Sequence, residues 1–229
     1  MLARIRGLFV VIQFSITVAF VVLAMYTFRK HTHKIIKMWM NMQIWFLGIK
    51  LEQDGSMDES CDMVIMNHQS LLDIIVIEYI HGRDLAWVGK KEISELFFFG
   101  HIMKAPRMIS IDRENKAGLL TLLKETKDRL SKGRPIAMFP EGTRSNGDTL
   151  LPFRGGTKMI ANKLSLKVQP LIIMHSREIL DSQNMKAKPG VVKVIYLDPV
   201  HADKKTDWFE RTEQNMKLIL QKELAKEGI

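Results

Sequence analysis

From residue 50 onward the chain alternates short apolar runs with helical stretches, and few architectures accommodate that pattern. Residues 62–66, 85–88, 108–111, 135–139, 168–174 and 191–197 read as strands, several too continuously apolar to be exposed on either face. Between them, 71–80, 92–104, 115–131 and 156–164 read as helices. A last amphipathic helix over 208–225 is expected to start at Asp207, with Glu210 three residues on completing a capping box. Gly133 fits the position just beyond the third helix, whose Leu119, Leu120, Leu122, Leu123 and Leu130 supply a buried face. The alternation predicts an α/β fold: a mostly parallel sheet flanked by helices, with functional groups at the carboxyl ends of strands.

A chain of 229 residues holds one such domain plus an appendage. The appendage is N-terminal. Residues 8–28 are apolar apart from Gln13, Ser15, Thr17, Tyr26 and Thr27, and as a helix they reach about 32 Å, close to the roughly 30 Å hydrocarbon core of a bilayer. A signal peptide has a shorter apolar core and a small-residue cleavage site, so retained attachment is the expectation. Arg4 and Arg6 precede the stretch and Arg29, Lys30, Lys34 and Lys37 follow it, which leaves its orientation open and suits a hairpin dipping into one leaflet. The next segment carries Ile35, Met38, Trp39, Met42, Trp45 and Phe46 at helical spacing, as an interfacial helix or a core helix of the soluble part would. Residues 1–49 are therefore expected to be membrane-anchoring helices and 50–229 the catalytic domain.

Thirty-four Lys and Arg against 25 Asp and Glu give a net charge of +9, which favours anionic partners: phosphorylated substrates, acidic lipid or nucleic acid. Nucleic acid is the weakest of these, since the chain has no zinc finger, RNA-recognition signature or basic helix. The single cysteine, Cys61, makes no internal disulfide, no Cys/His spacing suggests a metal, and a reducing cytoplasmic face is the simplest setting.

The segment NHQSLLD, residues 67–73, lies at a strand's end and a helix's start. Asp73 stands where S-x-x-D capping would put it, three residues after Ser70. Within one helix His68 and Asp73 would diverge by about 140°, but with Ser70 as the N-cap His68 can fold back, and a carboxylate there would fix the imidazole tautomer of a general base. A second strand end carries Pro140, Glu141, Gly142, Thr143, Arg144 and Ser145, and a third ends at Asp112 and Arg113. Glycine permits close backbone approach, and a guanidinium grips phosphate bidentately. Ser145 lacks the G-x-S-x-G elbow of a serine hydrolase, and GGTK at 155–158 lacks the leading glycine of a Walker A loop.

NHQSLLD, ISIDR, FPEGTRS and VQPLII resemble the four ordered sequence blocks of the glycerolipid acyltransferases, most closely the bacterial 1-acyl-glycerol-3-phosphate acyltransferases, over residues 62–199. The resemblance implies transfer of a fatty acyl group from acyl-CoA or an acyl carrier protein to lysophosphatidate in the membrane, with no bound cofactor or metal. It implies His68 as base, Asp73 as its orienter, Arg113 and Arg144 on the acceptor phosphate, and Glu141, Gly142 and Thr143 shaping the acceptor site. It also implies an inner-membrane location, with the catalytic domain on the cytoplasmic face. An acyltransferase for another glycerolipid, or a noncatalytic basic lipid-binding protein, would share many of these features. LFFFG carries Phe97 where the family commonly has proline, and Pro106 and Arg107 stand where a glycine is common before the I-D-R element; both departures bear on acceptor and acyl-chain selectivity. Phe97, Phe98 and Phe99 either contact lipid or an acyl groove, or pack within an ordinary helix.

Overall fold

The computed structural model describes residues 1–112 and 116–228. Strands β1 (Ile49–Asp54), β2 (Met63–Met66), β3 (Ala86–Lys90), β4 (Ile109–Ile111), β5 (Ile136–Met138), β6 (Lys167–Met174), β9 (Gly190–Tyr196) and β10 (Val200–His201) build the main sheet; β7 (Leu180–Asp181) and β8 (Lys186–Ala187) form a small separate hairpin. The main order is β1-β9-β6-β2-β5-β3-β4, with β10 beside β6. From β4 to β6 every pairing is parallel, and β9 and β10 run antiparallel to β6. β2, with all four residues buried, lies between β5 and β6, as a continuously apolar run requires.

The helices are α1 (Leu2–Thr27), α2 (Thr32–Leu47), α3 (Leu72–Ile80), α4 (Lys91–Glu95), α5 (His101–Lys104), α6 (Lys116–Ser131), α7 (Gly155–Leu164), α8 (Ser176–Ile179) and α9 (Trp208–Lys226). α6 ends in a Schellman motif: Gly133, at φ 72°, donates to Leu130 O at 2.9 Å and Arg134 donates to Arg129 O at 3.0 Å. The capping box expected at α9 does not form. Asp207 makes no side-chain cap hydrogen bond, and Glu210 is drawn to Lys158 Nζ at 2.5 Å. The single helix expected over 92–104 is instead two short ones, α4 and α5, separated by the phenylalanine turn.

α1 has the length and apolar composition to cross a membrane, yet one face, with Val10, Val18, Val22 and Met25, is buried against the rest of the protein. Gly7 lets it approach closely: a Cβ there would fall 1.9 Å from Met185 O in the β7–β8 turn. α2 buries Ile36, Trp39, Met40, Gln43, Ile44 and Leu47. That stripe is rotated from the one expected, and leaves Met38, Met42, Trp45 and Phe46 on the outside. Thr17, a polar interruption of α1, accepts from Trp39 Nε1 at 3.0 Å and Gln43 Nε2 at 3.3 Å, pinning α1 to α2. One apolar cluster runs from these two helices through Ile75 and Val76 of α3 to Val64, Leu171 and Val194 of the sheet.

Lys37 closes the end of α3, donating to Glu78 O, Tyr79 O and His81 O at 2.8, 3.0 and 2.6 Å. The buried Glu78 carboxyl accepts from Trp87 Nε1 at 2.6 Å, and burial, outweighing that bond, pushes its pKa from 4.5 up to about 7. The folded chain holds this proton more tightly than the unfolded one. Glu78 therefore adds stability that is complete below about pH 4.5 and lost as pH rises through 7. Glu78→Gln, which keeps an acceptor for Trp87, is expected to remove about 2 kcal/mol of the decline in stability between pH 5 and 8, measured by chemical denaturation. An unchanged decline contradicts this assignment.

Candidate active site

The site begins where β2 ends. Asn67 continues the β2–β6 pairing with its side chain, donating to Ile173 O at 2.8 Å and accepting Ile173 N–H at 2.7 Å. Gln69 Nε2 donates to the same Ile173 carbonyl at 3.0 Å, so the loop that carries His68 is tied down on both sides. Ser70 Oγ accepts Leu72 N–H at 3.2 Å and donates to Leu180 O at 2.5 Å, a cap that also anchors the β7–β8 hairpin.

His68 folds back over the first turn of α3, and its Nδ1 lies 2.7 Å from Asp73 Oδ2. The same oxygen accepts the backbone N–H groups of Gln69 and Ser70 at 2.6 and 2.8 Å. Capping and orienting are thus one arrangement. Because Oδ2 is an acceptor for all three donors, Nδ1 carries the imidazole proton. The far side gives the same answer: Arg144 Nε donates to His68 Nε2 at 3.4 Å, a contact that needs the lone pair on Nε2. The His68 ring stacks on Phe139, with centroids 3.8 Å apart.

Glu141 lies beneath, almost wholly buried, with Oε1 accepting His68 N–H at 2.6 Å and Oε2 accepting Leu151 N–H at 2.7 Å. Burial raises its pKa to about 7 against those two hydrogen bonds. Ser145 N–H returns to His68 O at 2.7 Å, so residues 141–145 clamp the His68 backbone from both ends. Gly142 takes φ 72°, a left-handed turn that a side chain would strain. Arg144 also donates from Nη1 to Ser182 Oγ at 3.2 Å. Of the residues singled out in the sequence, His68, Asp73, Glu141, Gly142, Thr143 and Arg144 come together here; Arg113 lies outside the described residues.

His68, Gly142, Thr143 and Arg144 edge an apolar cavity of about 520 Å³. Its depth is formed by Phe14, Val21 and Met25 of α1, Trp39 and Met40 of α2, and Ile75 of α3. A space of that size, apolar within and polar at one edge, suits a ligand with an apolar tail and a polar head. A larger groove of about 790 Å³ beside α9, lined by Trp208 and Arg211, shares none of these groups. Among the described residues no three His, Cys, Asp or Glu side chains converge as a metal ion would require.

Sequence reasoning missed Ser176. Fully buried at the start of α8, it donates from Oγ to Asp73 Oδ1, the oxygen that His68 does not use. It lies just beyond the end of β6, three residues past the quoted VQPLII block, where the strand-end rule would have directed attention. Gln183, in the β7–β8 turn, also reaches the cavity edge, with Oε1 accepting from Arg177 at 3.1 Å. No motif marks it.

With this constellation at its strand ends, the chain belongs to the Acyltransferase family, whose model matches residues 56–174. The 1-acyl-sn-glycerol-3-phosphate acyltransferase of Helicobacter pylori is 40% identical over 181 residues, covering 78% of this chain and 75% of that one. The enzyme of the same description from Haemophilus influenzae is 30% identical over 142 residues, covering 60% and 59%. The fold is similar to the crystal structure of the 1-acyl-sn-glycerophosphate acyltransferase of Thermotoga maritima, with a TM-score of 0.75 at 22% identity over 96% of this chain and 93% of that one.

Proposed function

We propose that this protein transfers a fatty acyl group from a thioester of coenzyme A or acyl carrier protein to the sn-2 hydroxyl of 1-acyl-glycerol-3-phosphate, forming phosphatidate. The observation that carries the reading is His68 itself: Nδ1–H is held by Asp73 at 2.7 Å, and the ring lines the apolar cavity with its Nε2 lone pair met only by the long 3.4 Å contact from Arg144 Nε, which an acceptor hydroxyl displaces. His68 Nε2 removes the hydroxyl proton as the acceptor oxygen attacks the thioester carbonyl, and Asp73 stabilises the imidazolium that forms. Collapse of the tetrahedral species breaks the carbon–sulfur bond, and the imidazolium returns the proton to the leaving thiolate. The thioester is already activated, so no acyl-enzyme is needed. The acceptor's chain lies in the cavity; Arg144, and Arg113 by its place in the matched sequence block, bind the phosphate. Helices α1 and α2 anchor the protein to the inner membrane, with the site on the cytoplasmic face where acyl thioesters are made.

Two measurements test this. Acyl transfer in detergent should be fast with lysophosphatidate and at least tenfold slower with glycerol 3-phosphate or a neutral lysolipid; equal rates on all three overturn the acceptor assignment. Arg144→Lys keeps the charge but loses the bidentate fork, so the acceptor KM is expected to rise about tenfold with the donor KM unchanged. A rise in donor KM alone would move Arg144 to the thioester site.

A further inference from the structure

α4 and α5 are joined by residues 96–100, and this turn faces solvent with some of the most apolar residues of the chain. Phe97 is 98% exposed, and Ile93, Leu96, Phe98 and Phe99 are exposed as well. The turn is built to hold this shape. Gly100 packs so closely that a Cβ would fall 2.2 Å from Ser94 O, and Phe98 and Phe99 brace each other edge to face at 5.5 Å. Soluble surfaces leave single apolar residues bare, but rarely a rigid cluster of five.

Three observations name what covers it. First, the turn adjoins α1: the Tyr26 hydroxyl lies 2.7 Å from His101 Nδ1, two residues beyond Phe99, so the turn continues the exposed apolar surface of Phe20, Leu23 and Phe28. Second, exposed cations flank it, Lys90 and Lys91 before and Lys104 and Arg107 after, against Glu92 and Glu95 within; Lys91 is already near Glu95 at 3.6 Å. Third, Lys90, Ile93, Ile102 and Met103, on either side of the turn, line the cavity beside His68. Aromatic side chains flanked by Lys and Arg, on a turn whose neighbours line an apolar cavity, suit the boundary between headgroups and acyl chains.

We infer that residues 96–99 are a second membrane-contacting element, inserted into the same leaflet as α1, which seats the cavity mouth on the bilayer so that a lysolipid enters without crossing water. The inference rests on the proposed membrane attachment of α1, and its test separates the two.

A nitroxide is attached to Phe97→Cys, to Phe20→Cys on α1 and to Lys222→Cys on α9, in full-length protein on phosphatidylethanolamine–phosphatidylglycerol vesicles. Cys61 does not compete for label, being 2% exposed with its thiol pushed up to about 11 by burial. Relaxation by a water-soluble nickel chelate is compared with relaxation by oxygen. The expected result is that the labels at 97 and 20 are shielded from nickel while that at 222 is exposed. A label at 97 as exposed as that at 222, with 20 shielded, overturns the inference and leaves the α1 anchor standing; exposure of all three overturns both. In parallel, Phe97→Asp should raise KM for vesicle-embedded acceptor by roughly tenfold, about the transfer preference of one phenylalanine, and leave turnover of a short-chain soluble acceptor unchanged. Equal KM values for wild type and variant on vesicles contradict the role in lipid entry.

Discussion

Alanine at position 68 is expected to lower kcat by about 10³-fold or more with little loss of folding. The ring contributes a stacking contact with Phe139 and the bond to Asp73, but its backbone is held independently, by Glu141 at the N–H and Ser145 at the carbonyl. The loop should therefore keep its course without the side chain. Thermal denaturation of purified His68→Ala protein, run beside the transfer assay, checks both halves; folded variant with near-normal turnover would remove the base from the account.

The second large effect belongs to Asp73→Asn. Three donors converge on Oδ2, and Ser176 donates to Oδ1. Asparagine can keep its oxygen under the three donors and turn its amide toward Ser176, whose hydroxyl then accepts. The cap largely survives, at a cost of about 1 kcal/mol, while the negative charge opposite the forming imidazolium is gone. Turnover is expected to fall by about 10²-fold or more. The pairing of small stability loss with large rate loss separates the two duties of this carboxylate. Lost stability with normal turnover would reduce Asp73 to a helix cap.

The legible parts of the sequence were those where one signal dominated. Burial on both faces made β2, β3, β5 and β6 plain as apolar runs, and Gly133 marked the end of α6 because the Schellman turn needs its positive φ. β1 escaped notice. In IKLEQD only Ile49 is buried and the rest of the strand is largely polar, as suits a charged edge paired on one side with β9. The β7–β8 hairpin has only two residues per strand, too short for any period to register, yet it carries Ser182 and Gln183 to the site. The sequence left α2 as an interfacial or a core helix because its apolar residues surround it and periodicity cannot say which side meets the core; the fold buries Ile36, Trp39, Met40, Ile44 and Leu47 and leaves Met38, Met42, Trp45 and Phe46 outside. At the site, residues on matched blocks could be placed before the fold was known. Ser176 carries only the general strand-end signal and no motif, and its role is visible only once the packing of α8 on α3 gives it Asp73.

The central claim is direct transfer, with His68 activating the acceptor hydroxyl and no covalent protein intermediate. Rapid-quench mixing of enzyme with labelled acyl thioester, with and without lysophosphatidate, tests it most directly. The account predicts that label passes into phosphatidate in one phase only when acceptor is present, that none is bound to protein at any time, and that His68→Ala abolishes the phase. Acid-stable label on the protein before acceptor is added, or an undiminished phase in His68→Ala, would contradict it.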